Sequence, residues 1–212
     1  MQTKDKILQA ALDCYNEEGL RVVTTRTIAN RLGISVGNLH YHFKHTEDII
    51  IALFEKMAKE YDELLSYMRQ MTLHDLSSMN EVFNSSFGLI TKYKFVFLHF
   101  VELSNWVPAI LTLYTELVER QKIQLLEIFM AFIDKGIFRD DLPDFVWRGL
   151  ARQIFIVSDF WLSNNELTDR LTGQAAAASY RNFMHSVFYP YLNLWQKKKL
   201  FSVVLKSFCS VI

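Results

Sequence analysis

Glycine, proline and cysteine are scarce in this sequence. Its 212 residues include 7 Gly and 3 Pro, too few for many strands joined by tight turns, and this scarcity favours long uninterrupted helices. The two cysteines, Cys14 and Cys209, lie far apart in sequence and belong to no C-x-x-C pair, so they indicate neither a disulfide framework nor a metal site. Such thiols and the lack of an N-terminal signal peptide predict a cytoplasmic protein.

The chain also lacks an excess of charge of either sign. Lysine and arginine together number 23, and so do aspartate and glutamate, so the overall balance indicates no particular partner. The distribution is uneven, however, because residues 20–46 contain no acidic residue. The charged residues of that window are Arg21, Arg26, Arg31 and Lys44. A basic patch in a neutral protein is typical of a small DNA-binding module on a larger body.

A long apolar run without polar residues is missing as well. Half of the residues are apolar and 14% are aromatic, which excludes a disordered chain and provides for a sizeable core. The most apolar run, residues 95–114, is about as long as a membrane span, but Glu102, Asn105 and Pro108 interrupt it. We therefore expect a pair of buried helices there and no membrane partner.

Apolar residues recur at helical spacing along almost the whole chain, which predicts an all-α fold of nine or ten helices. Gly19, Gly33 and Gly136 are placed to end helices, and Pro108 suits the first turn of one. The predicted helices cover residues 4–18, the segment after the cap Thr24 or Thr25, the segment after the cap Ser35, about six turns from Thr46, and residues 75–93, 95–103, 108–135, 144–164 and 174–196.

Residues 24–49, TTRTIANRLGISVGNLHYHFKHTEDI, have the pattern of a helix-turn-helix. The small Ala29 lets the second helix approach the first, and Gly33, four residues later, accepts the tight turn between them. Apolar residues stand where the inner faces require them, at Ile28, Leu32, Ile34 and Leu39. Two ordinary short helices are the alternative, but the flanking arginines and the polar outer face of the second helix favour DNA binding.

This stretch resembles the N-terminal domain of the TetR family of bacterial transcriptional repressors. The specific part is GISVGNLHYHFK before an acidic helix start; the preceding DKILQAALDCYNEEG and the later loop GIFRDDL fit the same family. The resemblance implies a three-helix DNA-binding domain (residues 1–47) and a larger helical domain for effector binding and dimerisation (residues 48–212). It also implies a homodimer that binds a palindromic operator in double-stranded DNA and releases it when a small molecule binds.

The second helix of a helix-turn-helix lies in the major groove with its N-terminal turns against the base edges. In this helix, Asn38 is the best candidate for a base contact, because its amide can pair bidentately with adenine. Val36 and Gly37 would offer apolar contact and close backbone approach, and His40 a hydrogen bond to a base. The expected phosphate contacts, which set the register, are Thr25, Arg26, Tyr41, His42, Lys44 and Thr46.

Two positions depart from the family pattern. His40 stands where tyrosine is frequent, and Thr46 stands where a lysine usually contacts a phosphate. Thr46 should contribute a neutral hydrogen bond instead, which makes binding depend more on Lys44 and the arginines. The histidines do not predict a metal site, because His40 and His42 would point about 200° apart on a helix.

The last two long helices are apolar on more than one face, and small residues at 175–179 allow close helix approach. We expect them to form the dimer interface, with packing inside one chain as the alternative. The predicted interface residues are Ile154, Val157, Trp161, Ala176, Tyr180, Phe183, Met184 and Val187.

The middle of the chain is unusually aromatic. Spacing alone assigns these residues to the core, whereas the family resemblance implies that the same helices enclose an effector pocket. Few polar groups among them suit a hydrophobic ligand. The candidate ligand contacts are Phe87, Phe97, His99, Phe100, Trp106 and Phe129.

The sequence contains no pattern typical of catalysis, neither paired carboxylates, nor a Gly-rich phosphate loop, nor metal-ligand spacing, and no cofactor is predicted. The leading prediction is a DNA-binding transcriptional regulator. The alternatives are an all-α lipid-binding protein or enzyme with an incidental helix-turn-helix, and an architectural DNA-binding factor without a ligand. The apolar tail, residues 200–212, is predicted to pack on the body as a final helix, and a membrane-surface amphipathic segment or a frayed end are the alternatives.

Overall fold

The computed structural model describes residues 3–70 and 77–198, and helices dominate both ranges. The all-α prediction is confirmed. In chain order the helices of the described residues are α1 (Thr3–Glu18), α2 (Thr25–Leu32), α3 (Val36–His42), α4 (Thr46–Gln70), α5 (Ser77–Lys92), α6 (Lys94–Leu98), α7 (Phe100–Trp106), α8 (Pro108–Asp134), α9 (Asp144–Leu167) and α10 (Gly173–Phe188), followed by the 3-10 helix Tyr189–Tyr191. The predictions for Cys209 and for residues 200–212 lie outside the described residues.

Local signals set the ends of α2 and α3. The Thr24 side chain accepts a hydrogen bond from the Thr27 backbone N–H, and the Thr27 hydroxyl accepts one from the Thr24 N–H, so the two residues form a capping box. Gly33 ends α2 in the left-handed region, with φ at 66°, where a side chain would be strained. Ser35 caps α3 by accepting from the Asn38 N–H.

Two predicted helices were wrong in extent. Residues 95–103 do not form one helix, because His99 (φ −124°, ψ 26°) leaves helical geometry and separates α6 from α7. The helix expected over residues 174–196 ends as α10 at Phe188, since Pro190 lacks an N–H and fixes its φ. The chain then turns, and Leu192 forms an isolated antiparallel bridge with Phe138.

The chain divides into two compact units that are not contiguous in sequence. The first comprises residues 1–61 and 89–117, and the second comprises residues 62–88 and 118–212. The N-terminal helices therefore share a compact unit with α6, α7 and the start of α8. These compact units differ from the two functional domains predicted from the sequence, whose boundary lies at residue 47. That domain division stays a prediction.

Each unit has an aromatic core of its own. In the first unit, Tyr15 of α1 stacks on Phe95 with ring centroids 5.0 Å apart. In the second, the Phe138 ring lies 5.5 Å from Trp147 and 5.9 Å from Phe129, and these three side chains are almost fully buried. Among the described helices, none combines the length and the apolar character needed to cross a bilayer.

Candidate DNA-binding site

Helix α3 presents one face to the core and the other to solvent. Leu39 is completely buried, and Phe43, which follows the helix, is 5% exposed. Helix α3 contacts α2, whose Ile28 and Ala29 are also fully buried. The side of α3 opposite Leu39 consequently faces solvent, and Tyr41 is 86% exposed. An exposed short helix held by a buried leucine is the arrangement that a major-groove reader needs.

The predicted base-reading residues lie on this exposed face. Gly37, Asn38 and His40 are exposed, and Val36 is half-buried. His40 is tied back to α2, because its Nε2 lies 3.2 Å from the Thr25 hydroxyl. The structure therefore brings together one expected base contact and one expected phosphate contact, which sequence spacing alone did not reveal.

The remaining predicted phosphate contacts surround this face. Arg26, Tyr41 and Lys44 are exposed, whereas His42 and Thr46 are half-buried. The Tyr41 and His42 rings meet edge to face at 5.2 Å. Thr46 is the first residue of α4, in the first turn of a long helix whose free N–H groups favour an anion.

The basic patch seen in the sequence is partly neutralised by the fold. Arg31 pairs with Glu17 at 2.7 Å and with Glu18 at 3.8 Å, and Arg21 pairs with Glu102 of α7. The hydrogen bond from Arg21, more than any other contact, lowers the pKa of the Glu102 carboxyl. The window of residues 20–46 contains no acid, yet three glutamates from outside it contact two of its three arginines.

A lysine from outside residues 20–46 lies near the C-terminal end of α3, the predicted reading helix. The Lys4 ammonium of α1 lies over the Phe43 ring, 5.3 Å from its centroid. Sequence reasoning missed this contact, because the two residues are far apart in the chain and no spacing rule links them. Lys44 and Arg26 are exposed, and no ion pair joins either of them to an acid among the described residues.

Helix α1 is fastened to the α5–α6 junction within the first unit. The Asn16 side-chain amide donates to the Lys92 carbonyl at 2.8 Å, and its oxygen accepts from the Phe95 N–H at 3.0 Å. At the same junction, the Lys92 ammonium binds the Glu60 carboxylate of α4 at 2.6 Å, and the Tyr93 hydroxyl donates to it at 3.0 Å. The framework of the helix-turn-helix is therefore fixed by polar contacts beyond its own three helices.

The predicted ligand contacts fall into both compact units. Phe97 lies near Tyr61, with ring centroids 6.4 Å apart, and Phe100 contacts Tyr114 at 4.5 Å. His99 pairs with Glu102 at 3.2 Å, and Trp106 is half-buried at the end of α7. These four residues belong to the first unit.

The other two predicted ligand contacts belong to the second unit, in different clusters. Phe87 meets Trp161 and Tyr180, each at 5.7 Å, whereas Phe129 belongs to the cluster around Phe138. A separate surface cleft of about 530 Å³ in this unit has a mixed polar lining that includes Arg139, Asp141 and Lys197, and it contains none of the predicted contacts.

The predicted interface residues divide into exposed and buried groups. On α9, Ile154 and Val157 are half-buried, and on α10 Phe183 is 47% exposed and Val187 half-buried. The other four, Trp161, Ala176, Tyr180 and Met184, are buried within the chain itself. Two further apolar side chains of α9 are exposed, namely Ile156 (54%), which sequence reasoning missed, and Phe160 (46%). The i, i+4 spacing places them on one face.

An all-α fold with an exposed, capped reading helix defines a helix-turn-helix DNA-binding protein. The sequence model of a family described as bacterial regulatory proteins, tetR family, matches residues 7–53. A second model, described as bacterial transcriptional repressor, matches residues 56–200. The chain belongs to the TetR family and is a DNA-binding transcriptional regulator, so the predicted resemblance is confirmed.

Known proteins similar to this chain are regulators of the same family. A TetR-family transcriptional regulator from Marinobacter aquaeolei superposes with a TM-score of 0.81 at 26% identity, covering 97% of this chain and 98% of the other. The transcriptional repressor KstR2 of Mycobacterium tuberculosis is 25% identical over 177 residues, which are 81% of this chain and 87% of that protein. The class A tetracycline repressor from Escherichia coli is 41% identical over 54 residues, 26% of this chain and 25% of that one.

Proposed function

We propose that the protein is a cytoplasmic, non-enzymatic transcriptional repressor that binds a palindromic operator as a homodimer and releases it when a small hydrophobic effector binds. The observation that carries the proposal is the exposed face of α3, where Gly37, Asn38, His40 and Tyr41 are all open to solvent above the buried Leu39. Polar and aromatic groups on a capped helix suit base edges in the major groove.

Two copies are needed because a single module of this size buries too little DNA for good specificity. The exposed Ile156 and Phe160 of α9 and Phe183 of α10 provide an apolar surface for a second copy. Beneath it, Trp161 and Tyr180 meet edge to face at 5.4 Å and join the two helices. In this proposal the buried residues Trp161, Ala176, Tyr180 and Met184 support the interface from below, and the exposed ones contact the partner.

A hydrophobic effector fits the aromatic character of the body. The Phe87 and Trp161 rings pack against the Tyr180 ring, whose hydroxyl lies 2.9 Å from the Ser86 Oγ and 3.3 Å from the Ser158 Oγ. Aromatic side chains beside a few hydroxyls would suit a lipid-like molecule that carries one polar end. KstR2, similar to this chain, is described as a ketosteroid transcriptional regulator, which supports the same class of effector.

The test is selection of bound sequences from random double-stranded DNA with the full chain. We expect one enriched palindrome whose half-sites lie about one helical turn apart. Enrichment of a single half-site would overturn the homodimer, and no enrichment would overturn sequence-specific regulation in favour of an architectural DNA-binding factor.

The effector is tested on the selected operator by displacement. Palmitate, palmitoyl-CoA and progesterone represent an anionic lipid, its thioester and a steroid, and glucose is the polar control. Release by one of the first three but not by glucose is the expected outcome. Release by glucose alone would overturn the hydrophobic effector.

A further inference from the structure

We infer that Lys4 is a DNA-phosphate contact, held for this role on the ring of Phe43 at the C-terminal end of the reading helix. The inference rests on the proposed operator binding and adds a residue from outside the helix-turn-helix. Lys4 is exposed, and its ammonium lies 5.3 Å from the centroid of the Phe43 ring.

The Phe43 ring has a fixed position at the end of the reading helix. Phe43 follows α3 directly and its N–H closes the last turn on the Leu39 carbonyl at 2.9 Å, so its backbone moves with the reading helix. The ring is 5% exposed and thus has a fixed orientation. The two residues that follow Phe43, Lys44 and His45, are both exposed, so a cation stacked on this ring is close in the chain to a predicted phosphate contact.

The fold changes which cations of the basic patch are paired with acids. The two arginines of the basic patch that lie nearest to acids, Arg21 and Arg31, are paired with glutamates, which leaves Arg26 and Lys44 as its unpaired cations within the described residues. Lys4 is likewise joined to no acid there. The fold therefore pairs two cations of the basic patch with acids and adds Lys4 near Phe43, the residue that follows α3.

The contact between Lys4 and Phe43 occupies only part of the ammonium group. The attraction of a cation to an aromatic ring is weak at an exposed site, and the ring covers one side of the ammonium. The side turned away from the ring keeps its N–H donors for another acceptor. A lysine ammonium with restricted movement and free donors is suited to a phosphate as a point charge.

The experiment compares Lys4→Gln, Lys4→Arg and Lys6→Gln with the wild type. Lys6 is a matched control, because it is exposed on the same turn of α1 and points to another side. Equilibrium binding to the selected operator and to an unrelated duplex is measured over a range of salt concentrations, and thermal melting is followed in parallel.

We expect Lys4→Gln to reduce the slope of log affinity against log salt by about 0.9 per protomer, and to weaken binding about fivefold per protomer near 0.15 M salt. The loss should be equal on both DNAs, because phosphates carry no sequence information. Lys4→Arg and Lys6→Gln should bind like the wild type.

An unchanged salt slope in Lys4→Gln would overturn the inference. If that variant melts at a lower temperature without a change of slope, the lysine only supports the fold. An equal loss in Lys6→Gln would show a general charge effect and also overturn it. Failure of the wild type to select any operator is a separate outcome, which would remove the proposed function and this inference with it.

Discussion

Helices α2 and α3 are stabilised by contacts between residues close in sequence, whereas the second unit is stabilised by contacts between residues far apart in sequence. In α2 and α3 the structure is set by neighbours in sequence, namely the Thr24–Thr27 capping box, the left-handed Gly33 and the Ser35 cap. In the second unit, by contrast, Ser86 meets Tyr180 and Asn80 meets His185, pairs separated by 94 and 105 residues. We therefore expect substitutions of exposed side chains in the first region to change DNA binding, and substitutions of buried ones in the second to change stability.

The largest effect is expected on stability, for a substitution in the aromatic core of the second unit. Phe129→Ala removes a fully buried ring that contacts Phe138, Trp147 and Phe188, and should lower the free energy of unfolding by about 3–5 kcal/mol. Denaturant unfolding is the measurement. The matched control is Phe145→Ala on α9, where the ring is 72% exposed and its loss should cost little. Equal losses in both variants would mean that burial does not distinguish the two sites.

The second prediction concerns pH. Burial first, and the nearby Arg181 second, lower the pKa of His185 to about 4. Its Nε2 lies 2.7 Å from the Asn80 Oδ1, and its Nδ1 is buried without a hydrogen-bond partner among the described residues. The folded state therefore favours the neutral ring, whereas the unfolded chain takes up a proton near pH 6.5. The stability from this group is complete above that pH and is lost as the pH falls toward 4.

We expect this loss to be on the order of 2–3 kcal/mol between pH 7 and pH 4. The measurement is urea unfolding at both pH values. His185→Gln cannot titrate, and its stability should change less over the same interval. A His185→Gln variant that loses as much stability as the wild type would assign the acid sensitivity to other groups.

The third prediction tests the exposed side of the comparison. Asn38→Ala should leave the thermal stability almost unchanged, since the side chain is exposed, and should weaken operator binding by about 1–3 kcal/mol at one or two base positions. The measurement is affinity for the selected operator and for its single-base variants. Asn30→Ala, exposed on α2, is the control. Wild-type discrimination by Asn38→Ala would contradict the docking of α3.

The smallest effect is expected for Arg26→Ala. Loss of a phosphate contact should weaken binding to all sequences alike, by about 1 kcal/mol per protomer near 0.15 M salt, and flatten the salt dependence. Arg31→Ala should change the slope less, because Glu17 already pairs with this arginine at 2.7 Å. The measurement is the slope of log affinity against log salt for each variant. Equal slopes for Arg26→Ala and Arg31→Ala would contradict the assigned roles.

Much of the fold could be predicted from the sequence, because its signals are local. Caps, glycines and apolar spacing predicted α1 to α4 within a residue or two at the N-terminal ends, and the TetR family followed from residues 24–49. The break at His99 could not be predicted, because neither glycine nor proline stands at the point where α6 ends and α7 begins. In α10, the stop at Phe188 could have been predicted, since Pro190 follows two residues later.

The sequence was sufficient to predict which side chains of α3 are exposed, but not which positive charges near α3 are paired. Periodicity around Leu39 places Asn38 and His40 on the exposed side of α3, where the structure has them. The ion pairs of Arg21 and Arg31 and the stacking of Lys4 join residues that are distant in sequence or lie on different helices. The net charge of a sequence window is therefore a poor measure of the charge that a folded surface presents.

The two hydrogen bonds of the Asn16 amide restrict the side chains that can occupy position 16. It uses its donor toward the Lys92 carbonyl and its acceptor toward the Phe95 N–H, so the two partners have opposite polarity. Aspartate, with two acceptor oxygens, would repel the carbonyl, and leucine of similar size would leave both backbone groups unpaired. Only a side chain with one donor and one acceptor at this reach keeps α1 in register with residues 92–95.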